Sequence, residues 1–161
     1  MGKRILLIED NPDDEALTLR AFRKNNITDN VSVTRDGAEA LDYLMCTGPH
    51  ANRDPADQPS VILLDLKLPK VDGLEVLRRI RSDPRTARIP VVALTSSDED
   101  RDRLESYHLR ANSYVRKPVD FHEFMEAVKQ LGLYWTTVDA TPLKPPVEPK
   151  VDSQTSQYEQ T

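Results

Sequence analysis

The stretch Val61-Ile62-Leu63-Leu64-Asp65 is an apolar run that ends in a carboxylate. An earlier stretch, Ile5-Leu6-Leu7-Ile8-Glu9-Asp10, has the same form. Continuous rather than alternating apolar residues are typical of strands that are buried on both faces of a parallel sheet. Both runs are far shorter than the roughly 18 apolar residues that a membrane-spanning helix needs. The two stretches therefore predict buried parallel strands with acidic residues at their carboxyl ends.

Segments with helical periodicity separate these runs from three further strand-like runs. Strands are predicted at residues 4–8, 31–34, 61–65, 89–94 and 113–116. Helices are predicted to begin at the capping residues Asn11, Asp36, Asp72, Ser97 or Asp98, and Asp120. The first helix is expected to end near Lys24 and the fourth near Leu109. This alternation predicts an α/β fold, with a parallel sheet covered by helices on both faces.

Composition and domain organisation exclude several classes of protein. The 161 residues suit one domain over residues 1–136, with a long irregular connection at residues 47–60, and a Pro-rich, flexible tail at residues 137–161. A net charge of −5 argues against nucleic-acid binding, and a single cysteine argues against a disulfide framework. We see no signal peptide and no membrane segment, so we expect a cytoplasmic protein.

Polar side chains with complementary chemistry end or follow four of the predicted strands. They are Glu9, Asp10, Asp65, Thr95, Ser96 and Lys117. Ligands of open α/β sheets bind beyond the carboxyl ends of the strands. Crowded carboxylates repel one another, and a hard cation such as Mg²⁺ relieves that repulsion. A nearby lysine suits an anion, so the group predicts metal-assisted phosphoryl chemistry on a carboxylate nucleophile.

Five motifs in register resemble the receiver domain of two-component response regulators. They are Ile8-Glu9-Asp10-Asn11, Leu64-Asp65-Leu66-Lys67-Leu68-Pro69, Asp72-Gly73, Ala93-Leu94-Thr95-Ser96 and Tyr114-Val115-Arg116-Lys117-Pro118. The resemblance covers about residues 4–131. It implies the flavodoxin-like receiver fold, a doubly wound five-stranded parallel sheet of strand order 2-1-3-4-5 with five flanking helices.

The resemblance also implies a role for each acidic residue of the group. Asp65 would accept a phosphoryl group from a sensor histidine kinase. Glu9, Asp10, Asp65 and the backbone carbonyl of Lys67 would hold Mg²⁺. The protein would thus be a phosphorylated switch rather than a turnover enzyme.

The remaining motif residues would respond to phosphorylation. Thr95 and Lys117 would bind the phosphoryl oxygens, and the side chain of Tyr114 would follow the movement of Thr95. Pro118 would follow a cis peptide bond. The signal would leave through the surface formed by the fourth helix, the fifth strand and the fifth helix.

One position departs from the family pattern and bears on two alternatives. The family often has Asn where this chain has Lys67, and we expect this change to alter the lifetime of the phosphoryl group. A metal-dependent phosphohydrolase generally needs a second acid at that position, so Lys67 argues against that alternative. A phosphorelay intermediate, which passes the phosphoryl group to a histidine phosphotransfer protein, stays open.

A narrower resemblance concerns the 47–60 connection, residues 111–114 and the sequence Leu133-Tyr134-Trp135. These features resemble the single-domain response regulators of bacterial and cyanobacterial phytochromes. The resemblance implies a phytochrome-type kinase as partner and a homodimer, without nucleic acid or membrane. Tyr134 and Trp135 would be interface anchors, the alternative being that they pack within the monomer.

Overall fold

The computed structural model describes residues 4–25, 31–68 and 71–130. Five strands form one sheet: Ile5–Ile8 (β1), Val31–Thr34 (β2), Val61–Asp65 (β3), Val91–Thr95 (β4) and Ser113–Arg116 (β5). Every pair of neighbouring strands is parallel, and their order is β2-β1-β3-β4-β5. The predicted receiver-type sheet is therefore confirmed.

Five helices connect and cover the strands, as predicted. They are Pro12–Lys24 (α1), Gly37–Met45 (α2), Gly73–Ser82 (α3), Asp98–Ser106 (α4) and Phe121–Gln130 (α5). The Asn11 side chain caps α1 by accepting hydrogen bonds from two backbone N–H groups of its first turn. The 47–60 connection contains one short 3-10 helix, Gly48–His50. No helix among the described residues is long and apolar enough to cross a bilayer.

The largest differences from the predicted boundaries are at the end of α4 and at the start of β4. Helix α4 ends at Ser106 rather than near Leu109, because the chain leaves the helix through His108, whose φ of 59° is left-handed. Strand β4 begins at Val91 rather than at residue 89. Pro90 precedes it and has no N–H to donate to the sheet.

Alternate strand residues pack against helices on opposite sides of the sheet. The side covered by α2, α3 and α4 includes the buried residues Leu6, Ile8, Leu44, Ile62, Leu64, Leu77 and Ile80. The side covered by α1 and α5 includes Ile5, Leu7, Phe22, Leu63, Val92 and Phe124. Because both faces are covered, β1 and β3 are buried along their whole length. This rigid centre holds the carboxyl ends of β1 and β3 side by side.

Helix α4 is attached to its neighbours mainly through charged side chains. Leu104 is the one apolar side chain that α4 buries. An Arg103 nitrogen lies 2.6 Å from an Asp72 carboxylate oxygen, and Arg116 lies 3.1 Å from Asp98. Exposed ion pairs of this kind contribute only about 0–1 kcal/mol each. Compared with the packed core, α4 is therefore weakly held.

Gly73 lets the first turn of α3 lie directly on the segment that follows β3. A Cβ atom at this position would lie 2.6 Å from both the Cα and the carbonyl oxygen of Leu66. These are backbone atoms that cannot move away cheaply, so we expect Gly73→Ala to lower the free energy of unfolding by about 1–3 kcal/mol. Urea denaturation measures this change. The matched variant Arg79→Ala, on the exposed face of the same helix, should change stability by less than about 0.5 kcal/mol. Equal stability of Gly73→Ala and wild type would contradict the packing described here.

Candidate functional site

Three carboxylates meet at the carboxyl edge of the two central strands. Glu9 and Asp10 follow β1, and Asp65 is the last residue of β3. The two strands pair directly, with Ile8 opposite Leu64. One carboxylate oxygen from each of the three residues lies within 4.8 Å of the other two. Glu9 and Asp65 are buried, whereas Asp10 is exposed at the mouth of the site.

Lys117 supplies the positive charge that balances this cluster. Its Nζ atom lies 2.9 Å from Asp65 Oδ2 and 3.2 Å from Glu9 Oε2. It also lies 2.9 Å from Asp14 Oδ2. Asp14 was not among the predicted site residues. Its place in the first turn of α1, directly after β1, was the available signal, because that turn also lies at the carboxyl edge of the sheet.

Backbone donors orient the buried carboxylates. The N–H of Lys67 donates a hydrogen bond to Asp65 Oδ1 over 3.0 Å. The N–H of Asn11 donates to Glu9 Oε2 over 3.3 Å. Asp65 thus has one oxygen on a backbone donor and the other on the Lys117 ammonium. Both contacts hold its carboxylate in a defined orientation at the edge of the sheet.

The electrostatics of the cluster favour a bound cation. Burial, the hydrogen bond with Asp65 and the Asp65 charge raise the pKa of Glu9 to about 8, although Lys117 opposes the shift. Burial disfavours the charge of Lys117, but the hydrogen bonds to Asp14 and Asp65 and the surrounding negative charges outweigh it and raise its pKa. Glu9 Oε1 is buried and has no hydrogen-bond partner among the described residues. Crowded oxygen ligands with one unpartnered buried oxygen fit a hard divalent cation.

The raised pKa of Glu9 makes stability depend on pH. The unfolded chain releases this proton near pH 4.5, whereas the folded protein holds it up to about pH 8. The contribution of Glu9 to stability is therefore fully present below pH 4.5 and is lost as the pH rises to 8. In Mg²⁺-free buffer, we expect Glu9→Gln to be more stable than wild type by about 2–4 kcal/mol at pH 8. The two proteins should be nearly equal at pH 5.

Chemical denaturation at the two pH values measures this difference. The control is Glu126→Gln, which changes an exposed carboxyl group on α5. If the wild-type protein has a larger free energy of unfolding than Glu9→Gln at pH 8, the Glu9 carboxylate is stabilised rather than destabilised by its surroundings.

Thr95 and Tyr114 lie on the adjacent strands β4 and β5. Thr95 is the last residue of β4 and is buried, and its carbonyl oxygen accepts a hydrogen bond from the Lys117 N–H over 2.9 Å. The Tyr114 hydroxyl accepts a hydrogen bond from the Ala111 N–H. The Arg101 guanidinium of α4 lies 4.6 Å from the centre of the Tyr114 ring. Tyr114 therefore contacts α4, and the backbone of Thr95 contacts Lys117.

Three further predictions concern Pro118, Lys67, and the pair Tyr134 and Trp135. The predicted cis peptide bond is present between Lys117 and Pro118. The Lys67 side chain is largely exposed, and its Nζ atom lies 3.9 Å from Asp100 Oδ1 at the start of α4. Tyr134 and Trp135, predicted as interface anchors, lie outside the described residues, as does the 137–161 tail.

Comparison with known protein families agrees with this arrangement. A model of the response regulator receiver domain matches residues 5–129. The chain belongs to the response regulator receiver family. Phosphorylation on an aspartate is the general function of receiver domains.

Two curated relatives cover most of this receiver chain. The probable methanogenesis regulatory protein FilR2 of Methanothrix harundinacea is 41% identical over 138 residues, which cover 86% of each protein. The response regulator Rcp1 of Synechocystis sp. is 37% identical over 133 residues, which cover 83% of this chain and 88% of Rcp1.

Similar solved structures include response regulators of phytochromes. The bacteriophytochrome response regulator RtBRR is 48% identical with a TM-score of 0.78, covering 91% of this chain and 86% of its own. The phosphorylated cyanobacterial phytochrome response regulator RcpA is 40% identical with a TM-score of 0.67, and the match covers 89% of this chain and 100% of the RcpA chain. The Mn²⁺-bound form of Rcp1 is 35% identical with a TM-score of 0.65, and the match covers 88% of this chain and 99% of the Rcp1 chain.

Proposed function

We propose that this receiver is a signalling switch that accepts a phosphoryl group on Asp65 from a sensor histidine kinase. The observation that supports this most directly is the position of Asp65, buried at the carboxyl edge of β3 with Lys117 Nζ 2.9 Å from Oδ2. A carboxylate that two hydrogen bonds hold in one orientation suits in-line attack on a phosphorus atom. The same edge carries the remaining groups that phosphoryl transfer requires.

Mg²⁺ is the proposed cofactor, held by Glu9, Asp10, Asp65 and the backbone carbonyl of Lys67. When bound, the ion would supply positive charge that offsets the negative charge of the phosphoryl oxygens. The site of the similar protein Rcp1 takes Mn²⁺, and the receiver domain of the sensor kinase PA1611 holds a magnesium ion in its active-site cleft. The crowded carboxylates and the unpartnered Glu9 oxygen described above support this assignment.

The chain's own side chains would perform the rest of the reaction. Asp65 Oδ2 attacks the phosphorus of a phosphohistidine, and the P–N bond to the kinase breaks. Lys117 then donates from its ammonium to a phosphoryl oxygen instead of to the free carboxylate. The Thr95 hydroxyl, at the neighbouring strand end, donates to another phosphoryl oxygen. Thr95 ends strand β4 and Lys117 follows strand β5, so the sheet holds both donors at the same edge as Asp65.

The signal would leave through α4, β5 and α5. Movement of Thr95 towards the phosphoryl group pulls on the segment between β4 and α4, and Tyr114 on the adjacent strand responds. Because α4 buries one apolar side chain and is otherwise attached by exposed ion pairs, a modest energy difference suffices to shift its position. We regard the protein as a switch of this kind and not as a turnover enzyme, and we place it in the cytoplasm with its kinase.

The proposed kinase class is the phytochromes, since RtBRR and RcpA bear that description. Transfer of labelled phosphate from an autophosphorylated bacteriophytochrome tests this, with wild type expected to become labelled and Asp65→Asn not. The relative FilR2 is described as a probable methanogenesis regulatory protein and not as a phytochrome partner. If a bacteriophytochrome does not transfer phosphate to this protein, the result would therefore refute only the proposed kinase class.

The alternative role as a phosphorelay intermediate predicts onward transfer to a histidine phosphotransfer protein. Sustained hydrolysis of a phosphate ester would favour the phosphohydrolase alternative.

A homodimer is proposed through α4, β5, α5 and the aromatic residues Tyr134 and Trp135. Tyr107, at the end of α4, is 60% exposed and offers an apolar contact on this surface. Light scattering in Mg²⁺, with and without beryllofluoride on Asp65, measures the mass. A dimer in both conditions supports a constitutive assembly, and a dimer only with beryllofluoride supports dimerisation as the output. A monomer in both conditions would refute the interface.

Lys67 is proposed to lengthen the life of the phosphoryl group. Its backbone N–H already contacts Asp65, and its ammonium lies 3.9 Å from Asp100 Oδ1. An ammonium at this place attracts phosphoryl oxygens and hinders approach of water, so we expect Lys67→Asn to shorten the half-life at least twofold. Acid-quenched time courses of labelled protein measure this, with Lys129→Asn, an exposed position on α5, as control. An unchanged half-life would show that the side chain has no such role.

A further inference from the structure

A concave surface lies at the end of the sheet opposite Asp65. It has a volume of about 740 Å³ and lies between the last turn of α3, the segment before β4, helix α4 and the start of β5. We call it the arginine pocket, because its lining includes the side chains Arg81, Arg88, Arg101, Glu105, Arg110 and Tyr114.

The arginine pocket is strongly positive in a chain that is negative overall. Its four guanidinium groups face a single carboxylate, Glu105, which leaves a net charge of +3. The whole chain carries a net charge of −5. Like charges gathered in one concavity repel one another and raise the local potential for an anion. A chance distribution of surface charge in an acidic protein would not favour this arrangement.

The positive charge of the pocket is poorly neutralised within the protein. Arg81 donates hydrogen bonds to the carbonyl oxygens of Ala87 and Ile89 and to Asn112 Oδ1, over 3.2, 2.8 and 2.7 Å. All three acceptors are uncharged, and burial lowers the pKa of Arg81. In the described parts of the chain, no carboxylate lies within ion-pair distance of Arg81, Arg88 or Arg110.

The remaining guanidinium is also only loosely paired. Arg101 lies 3.8 Å from Glu105 on the same helix, and both side chains are about half exposed. An ion pair of this length and exposure contributes little. Arg81 therefore forms a fixed floor. Arg88 and Arg110 are exposed, and Arg101 is held only by its contacts with Glu105 and the Tyr114 ring.

We propose that the arginine pocket binds a polyphosphate group, the chemistry shared by inorganic polyphosphates and nucleoside di- and triphosphates. Planar guanidinium groups form paired hydrogen bonds with phosphate oxygens, for which arginine is better suited than lysine. The volume lies within the roughly 300–1,000 Å³ that is usual for small-ligand sites. Several arginines around one concavity match a ligand with several adjacent negative charges better than they match a single phosphate.

Occupancy of the pocket would act on the signalling surface. Arg101 also lies over the Tyr114 ring, so a ligand that draws Arg101 away changes the surroundings of that ring. This consequence rests on the proposed switch role of Tyr114. The binding itself does not depend on phosphorylation at Asp65.

Isothermal titration calorimetry of the full chain in Mg²⁺-free buffer tests the proposal, with inorganic tripolyphosphate and ATP as probes. The test variant is Arg88→Gln/Arg110→Gln, which removes two exposed charges from the pocket. The matched control is Arg20→Gln/Arg23→Gln, which removes two exposed charges from α1. Arg101→Gln gives a second, independent test variant. Thermal melting establishes that each variant is folded.

We expect tripolyphosphate to bind the wild-type protein. Its affinity for the pocket variants should be at least tenfold lower, and its affinity for the control should be within twofold of that for wild type. Tighter binding of ATP than of tripolyphosphate assigns the source to a nucleotide, and equal binding assigns it to the phosphate chain alone. Absence of binding to wild type, or equal weakening in pocket and control variants, would overturn the proposal. A polyglutamate peptide that binds where tripolyphosphate does not would also overturn it, in favour of an acidic protein partner. Phosphorylation of the pocket variants by acetyl phosphate should match wild type, so failure here is separable from failure at Asp65.

Discussion

An Asp65→Asn variant is expected to accept no phosphoryl group from acetyl phosphate or from a histidine kinase. The amide side chain keeps the shape of the carboxylate and can still accept the hydrogen bond that Lys67 N–H donates. It lacks the anionic oxygen that attacks phosphorus. In the wild-type protein this oxygen lies at the end of the central strand β3 and accepts a hydrogen bond from Lys117. Loss of transfer should therefore be complete, whereas folding should be retained.

Intact-mass measurement after incubation with acetyl phosphate and Mg²⁺ detects the modification. The control is Asp102→Asn, which changes an exposed aspartate on α4 and should be phosphorylated as fast as wild type. Phosphorylation of Asp65→Asn to the same extent as wild type would show that another residue is the acceptor.

Replacing Lys117 with methionine is expected to separate metal binding from phosphoryl transfer. The ammonium lies 2.9 Å from Asp65 and 3.2 Å from Glu9, so it competes with any cation for these oxygens. Two unit charges about 4 Å apart interact by about 4 kcal/mol at an effective dielectric constant of 20. Removing part of that competition should tighten Mg²⁺ binding at least tenfold. The phosphorylation rate should fall about 100-fold, because one donor to the developing negative charge is lost.

Two measurements on the same variant test this separation. Calorimetric titration gives the Mg²⁺ affinity, and a time course with acetyl phosphate at saturating Mg²⁺ gives the rate. Lys129→Met, which removes an exposed lysine from α5, serves as the control in both. A Lys117→Met variant that binds Mg²⁺ more weakly than wild type would contradict the described competition. A rate equal to that of wild type would contradict the role of Lys117 in transfer.

The position of the acidic cluster could be predicted because parallel strands impose it. Each apolar run ends where its strand leaves the core, and the carboxyl ends of neighbouring strands meet at one edge. The sequence alone therefore predicts that Glu9 and Asp65 lie close together. The caps of α1 and α2 could also be predicted, since the side chains of Asn11 and Asp36 need only local geometry to accept backbone hydrogen bonds.

Features that depend on contacts between distant side chains could not be predicted from local patterns. The contact between Asp14 and Lys117 joins residues that are far apart in the sequence, and only the relative position of α1 and β5 brings it about. The arginine pocket likewise joins α3, the segment before β4, α4 and β5. The early end of α4 depends on the backbone of His108, for which the sequence carries no distinctive signal.

The central claim is that the carboxyl edge of β1 and β3 takes up a phosphoryl group on Asp65 with the help of Mg²⁺. Tandem mass spectrometry of wild-type protein treated with acetyl phosphate, with Mg²⁺ or with a chelator, tests it most directly. We predict one phosphoryl group per chain, located on Asp65 and absent when Mg²⁺ is removed. A phosphoryl group on any other residue, or no modification of the folded protein in Mg²⁺, would contradict the claim.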